Sequence, residues 1–246
     1  MQKSSYHHGD LKRALIEAGI ELLAKEGSAA FSLRKVAIRA GVSHTAPYAH
    51  FADKQALIAA IITEGYIRLH KRMLAALENS GTADILSTSA TTEDFTLAAT
   101  AAAQPGDVLK NMPVSTTTAS LQPGDHTPAK LPRARLLAAA MAYVRFAMDE
   151  RELFGIIFSG LLEDEKKYPE YVAMTQECYG LLLEAVRRCH ETAALPVESE
   201  EIRATRLWSC LHGFASLLVR GQISHVVLDK IKLTALVEAL ILPRQA

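Results

Sequence analysis

Apolar side chains return every three or four residues through most of this chain, a period that fits packed α-helices and little else. Between residues 10 and 26, Leu11, Leu15, Ala18 and Leu22 form one stripe and Ile16, Ile20 and Leu23 the next, and Gly27 ends the pattern. Ser32 stands as a cap before Leu33, Val36, Ala37 and Ala40, and Gly41 stops that short helix. Asp53 opens a longer one, in which Leu57, Ile61, Ile62, Tyr66, Leu69, Met73 and Leu77 sustain a buried stripe for about six turns. The pattern resumes at Arg133 with Leu137, Met141, Val144 and Met148, and residues 153–162 are apolar almost all round. Pro169 opens a helix carrying Val172, Thr175, Tyr179, Leu182, Val186 and Cys189. Ser199, Glu200 and Glu201 open another with Ile202, Trp208, Leu211, His212, Ala215 and Leu218, and a last helix bears Leu233, Leu236, Val237 and Leu240. Alternation of strand type appears only weakly, near Val226. The expected fold class is all-α.

Residues 80–132 interrupt the periodicity. Of these 53 positions, 32 are Ser, Thr, Ala, Gly or Pro, leaving too little apolar surface to offset the entropy of ordering. A disordered, low-complexity insertion is expected. The tetrapeptide Gln104-Pro105-Gly106-Asp107 recurs as Gln122-Pro123-Gly124-Asp125, which reads as a local duplication of turns.

With 27 basic and 27 acidic residues the formal charge is zero, which excludes a uniformly basic nucleic-acid coat. The balance is not local. Residues 1–75 hold eleven Lys and Arg against six Asp and Glu, together with five of the nine histidines. A basic end on an acidic body is expected to meet a polyanion with that end alone. No apolar run reaches 18 residues and the first ten residues lack a secretory apolar stretch, so a cytoplasmic protein with no membrane partner is expected. Cys178, Cys189 and Cys210 are too few for a disulfide framework or a zinc site. His7 and His8 lack a companion at i+4 or a carboxylate cluster, so neither a metal nor any other cofactor is expected. No GxSxG, Gly-rich phosphate loop or HExxH occurs, and the run from Glu163 to Lys167 reads as a solvated loop, which argues against an enzyme.

The segment 32–54, SLRKVAIRAGVSHTAPYAHFADK, carries the most specific signal. Two short amphipathic stretches meet at Gly41-Val42-Ser43, the arrangement of a helix-turn-helix: the first helix crosses the phosphate backbone and the second enters the major groove. Leu33, Val36, Ala37, Val42 and Phe51 form the expected buried set, leaving Arg34, His44, Thr45, Tyr48, His50 and Lys54 to face outward. Ser43 is expected to accept from the free amides of the second stretch, where Pro47 is tolerable because an opening turn has unpaired N–H groups. Thr45 and Ala46 are small enough for close approach to the bases, where a methyl meets thymine and a hydroxyl or imidazole pairs with a base edge. Lys54, at a helix start, can hold a phosphate jointly with nearby amides.

On these residues the chain resembles the TetR family of bacterial transcriptional regulators. Leu33, Val36, Ala37, Ala40, Gly41, Val42, Ser43, Tyr48, Phe51, Lys54 and Leu57 stand at the spacing of that family's helix-turn-helix. The resemblance implies phosphate contacts for Tyr48 and Lys54, and base-edge or adjoining backbone contacts for Arg34, His44, Thr45, Ala46 and His50, with Ser43 in the turn. The opening YHHGDL and the run HTAPY are similar to the branch whose C-terminal domain carries a Trp-His-Gly signature, which Trp208, His212 and Gly213 match. Ala49 departs from the pattern, since relatives often carry a larger or basic side chain there, and so does the insertion after residue 79.

The family pattern further implies a three-helix DNA-binding domain over residues 1–54 and a ligand-binding and dimerisation domain over 55–246. The last two helices would offer Trp208, Leu211, Leu218, Leu236 and Leu240 to a second subunit, and the homodimer would read a palindromic operator in double-stranded DNA. The expected function is a ligand-responsive repressor, bound at the nucleoid and released by an unknown small-molecule effector. Tyr66, Phe146, Phe158, Tyr179, Trp208 and His212 are the candidate lining of an effector pocket, although aromatics at helical spacing read equally well as packing. Two other readings stay open: an activator, and a helical interaction or small-molecule-binding protein that has lost DNA binding.

Overall fold

The computed structural model describes residues 8–80, 130–191 and 199–241. Within them the chain is all-α, with no strand: α1 (His8–Glu26), α2 (Leu33–Arg39), a 3-10 turn (Ala46–Ala49), α3 (Lys54–Asn79), α4 (Lys130–Asp149), α5 (Arg151–Ile157), a second 3-10 turn (Glu165–Lys167), α6 (Pro169–Glu191), α7 (Glu200–Val219), α8 (His225–Lys230) and α9 (Leu233–Ile241). Most of the expected insertion, including both Gln-Pro-Gly-Asp segments, lies outside the described residues, as does His7. At its borders Ser80 caps α3, and α4 begins at Lys130, three residues before the expected start.

The caps follow from local chemistry. Ser32 Oγ accepts from the amide of Lys35 at 3.3 Å, Asp53 Oδ1 from that of Ala56 at 2.8 Å, and Ser199 Oγ from that of Ile202 at 3.3 Å. Each satisfies one of the orphan donors of a helix start, a contribution of about 1 kcal/mol.

Helix α3 is the spine. Its Leu57, Ile58 and Ile61 are almost wholly buried, and its length brings it against α1 at one end and against α4, α5 and α6 beyond. Fully burying one such side chain stabilises the fold by about 2 kcal/mol. Close approach is bought with glycine at two places. A Cβ on Gly19 of α1 would sit 2.6 Å from Ile61 Cδ1, and one on Gly65 of α3 would collide with Ile157 of α5. Polar ties run beside these contacts. Arg68 of α3 pairs with Glu64 at 2.8 Å, with Glu150 at 3.2 Å and with Glu17 of α1, while Arg72 reaches Glu150 at 2.7 Å and Asp149 at 2.8 Å. Burial works against the charge on Arg68, but its three carboxylate partners outweigh that and push its pKa up.

Helix α6 lays Tyr171, Cys178, Leu182, Ala185 and Val186 inward, and α7 does the same with Ala204, Leu207, Leu211 and Ala215. Helix α9 packs on α4 and α7 through Val237 and Ile241. Leu211, expected to be offered to a second subunit, is buried inside this one; the apolar side chains that α7 and α9 leave uncovered are Ile202, Leu217 and Leu240, with half-exposed Trp208.

Candidate functional site

Two features stand apart from the general packing: an exposed polar ridge around the turn after α2, and a cavity in the helical body.

The ridge starts where α2 stops. Gly41 adopts φ +69, a conformation that strains any residue with a Cβ. With it, the Gly41 amide donates to Ile38 O at 3.1 Å and the Val42 amide to Ala37 O at 3.0 Å, which closes the helix and fixes the exit direction of the chain. Ala46 then donates to Ser43 O at 3.1 Å, Tyr48 to Thr45 O at 3.2 Å and Phe51 to Pro47 O at 2.9 Å. The segment after the turn is therefore one turn of 3-10 helix, with Pro47 buried beneath it. The expected capping by Ser43 is not what occurs. Its carbonyl takes the Ala46 amide, and its Oγ lies 3.2 Å from Thr45 Oγ1.

Arg34, Ser43, His44, Thr45 and Tyr48 are all exposed, Tyr48 to 60%, with Ala46 half-buried among them. His50 departs from the expected outward face: it is half-buried, and its Nε2 is shut off from solvent without a hydrogen-bond partner among the described residues. Lys54 is also drawn inward. Its Nζ donates to Ser28 O at 2.9 Å and lies 6.0 Å from the centre of the Phe31 ring. Two neighbouring cations are matched by α1, with Lys35 on Glu26 at 2.8 Å and Arg39 on Glu21 at 2.5 Å; Arg34 makes no ion pair among the described residues. Such exposed pairs are worth under about 1 kcal/mol, so a phosphate can compete for them. Ile38 was missed by pattern reading. It is 60% exposed and follows Arg34 by four residues, so the two share a helix face and an apolar contact lies beside the cation.

The cavity, about 290 Å³, lies among α3, α4, α6 and α7. Tyr66, Phe158, Tyr179 and Trp208 of the expected set line it. Phe146 does not: it is wholly buried one turn further along α4, its ring 5.5 Å from the Arg72 guanidinium carbon. His212 stands just behind the wall. Its Nδ1 lies 2.7 Å from the hydroxyl of Tyr143, its Nε2 3.4 Å from Ser216 Oγ, and its ring centre 4.5 Å from that of Phe158. Tyr143 was missed, yet its signal was available, because Leu136, Ala139, Ala140 and Tyr143 line the cavity at i, i+3, i+4 and i+7. Burial pushes the Tyr66 and Tyr143 hydroxyls up, the Cys178 thiol up to about 12, and His212 down. The wall is uncharged at neutral pH.

A rigid helix-turn-helix ridge on an all-α body with an internal cavity defines a DNA-binding transcription regulator, and comparison with known proteins agrees. Residues 15–61 match the model of the bacterial regulatory proteins, tetR family, and residues 136–241 that of the tetracyclin repressor-like, C-terminal domain. The chain belongs to the TetR family, whose members are transcription regulators rather than enzymes. Among solved structures it is similar to a protein of unknown function from Rhodococcus sp. RHA1, 26% identical, with a TM-score of 0.59 over 97% of this chain and 93% of that one. It is also similar to a TetR family transcription regulator from Marinobacter aquaeolei VT8 (17% identical, TM-score 0.55, 94% of each chain). A third is the TetR family transcriptional regulator PfmR from Thermus thermophilus (16% identical, TM-score 0.55, 95% of this chain and 97% of that one). These last two likenesses are of fold. No curated protein matches the sequence. Among the described residues no helix is long and apolar enough to cross a membrane, and no group of three His, Cys, Asp or Glu is placed to hold a metal.

Proposed function

We propose that the protein is a homodimeric, effector-responsive repressor of the branch marked by Trp208, His212 and Gly213, binding a palindromic operator. The observation that carries this reading is the set of exposed side chains on α2 and the turn after it: Arg34 on the helix, and Ser43, His44, Thr45 and Tyr48 on the turn. Thr45 and Ala46 lead into the major groove, with His44 and Arg34 on base edges and Tyr48 and Lys54 on phosphates. His50 braces the turn from behind, against Phe51 at 6.3 Å between ring centres. The uncovered Ile202, Leu217 and Leu240 support pairing of α7 and α9 with a second subunit. An effector in the cavity bears on α3, which carries Tyr66, Leu69 and Met73 in the cavity wall and Lys54 at the DNA end. A tenfold loss of operator affinity requires about 1.4 kcal/mol of coupling between the two sites.

Promoter fragments titrated with the protein at several salt concentrations test the head. A sequence-specific complex that weakens steeply with salt is expected. Tyr48→Ala should weaken all sequences alike, whereas Thr45→Ala or His44→Ala should change the preference among them. A monomer in sedimentation, or a face whose variants leave binding intact, would falsify the assignment. A reporter placed behind the bound promoter separates repression from activation by the sign of its response.

A further inference from the structure

We infer that the cavity is built for an uncharged, largely apolar molecule about two fused rings in size, and that it excludes carboxylates and ammonium ions. This deepens the reading of the cavity as an effector site and rests on it.

Size comes from the volume. A dry apolar cavity of about 150 Å³ holds one benzene. The space here is about 290 Å³, nearly twice that. Charge is set by the wall, in which no Lys, Arg, Asp, Glu or His among the described residues takes part. An ionised ligand would leave water and gain no counter-charge from this wall, which disfavours its binding. Several of the polar side chains of the wall already have hydrogen-bond partners. Tyr143 is bonded to His212, Thr175 Oγ1 donates to Val172 O at 2.9 Å, Cys178 Sγ donates to Tyr66 O at 3.5 Å, and the Tyr179 hydroxyl lies 3.5 Å from Thr205 Oγ1. His212, which backs Tyr143 and Phe158, has its pKa lowered by burial, so its charged form is disfavoured there. Shape follows from the aromatic faces of Tyr143, Phe158 and Trp208, which suit a ring system. Tyr179, Thr205 and Trp208 both line the cavity and reach solvent, so they frame its mouth.

Trp208 is the chain's single tryptophan, which makes it an internal reporter of occupancy. Three ring-matched probes transparent at its excitation wavelength decide the matter: decahydro-2-naphthol, decahydronaphthalene-2-carboxylate and decahydro-2-naphthylammonium, each titrated into the full chain without DNA. The alcohol should shift Trp208 emission to the blue with a saturable curve and raise the unfolding temperature. The two ions should bind at least about a hundredfold more weakly. Ala139→Leu fills the cavity and should abolish the alcohol's effect; if that variant fails to fold, Thr175→Leu at the wall takes its place. Equal or tighter binding of either ion overturns the assignment of class, as does failure of the alcohol to bind or a saturable heat stabilisation that leaves Trp208 emission unchanged. Binding of the alcohol with no effect on operator affinity would instead remove the cavity's regulatory role and leave the ligand class standing.

Discussion

Lys54 shows how one side chain can be claimed by two tasks. Its spacing marks it for a phosphate, and its ammonium is bonded to Ser28 O at 2.9 Å, across the loop that joins α1 to α2. Lys54→Gln separates the tasks. If the ammonium leaves Ser28 for DNA, affinity should fall equally for all sequences and the salt slope should flatten by about one unit. If it remains a tether, the salt slope should hold while urea unfolding shows a loss of about 1 kcal/mol. His212 supports a second prediction at this scale. Burial lowers its pKa below the ordinary 6.5, so the unfolded chain takes up the proton first. The associated stability is therefore fully present above about pH 6.5 and is lost as pH falls through the folded-state value. His70, lowered by the same cause, acts in the same direction. Unfolding midpoints measured from pH 8 down to 5 should fall on acidification, and His212→Gln should make that fall shallower.

Among elements, the arginine pairings of α3 are the main polar tie between the DNA-facing end and the body. Arg68 bridges Glu17 of α1, Glu64 of its own helix and Glu150 at the α4–α5 junction, and all four side chains are at least partly withdrawn from solvent. Arg68→Met would leave three carboxylates crowded together, and chemical denaturation should show a loss of about 2 kcal/mol, between the values for exposed and buried pairs. Adding Glu17→Gln and Glu150→Gln should restore part of that loss; additive losses would mean that the pairs act independently. At this scale the sequence was most legible. Ser32, Asp53 and Ser199 cap the helices they were read to cap, because capping is decided within four residues. The 3-10 turn at Ala46–Ala49 was not legible, because whether a proline-bearing stretch continues as α-helix depends on what packs beneath it. The positions of His50 and Phe146 were hidden for a similar reason. Periodicity assigns a residue to a stripe, but the neighbour that receives its ring comes from a distant part of the chain, as Arg72 does for Phe146.

For the molecule as a whole, α3 and α4 meet at the borders of residues 81–129. The end of α3 and the start of α4 are neighbours, since Leu77, Glu78, Pro132 and Arg135 line one crevice at the far end of the bundle. Replacing residues 84–126 with about six Gly and Ser residues, a length typical of helix–helix connections, should leave the unfolding temperature within a few degrees and operator binding intact. A loss of cooperative unfolding would show that the segment belongs to the core. The basic bias of the first 75 residues pointed to the correct end of the chain, but how far its cations are already matched by α1 carboxylates could be seen only in three dimensions.

The reach of α3 bears on how such a protein can be recombined. A chimera joined at residue 54 would keep every residue of the helix-turn-helix, yet it would replace the Ile61 that receives Gly19 and the Arg68 that holds Glu17. The exchangeable cassette ends further along the rod, past Arg68, and a hybrid cut earlier inherits the letters of the reading head without the bed on which it is seated.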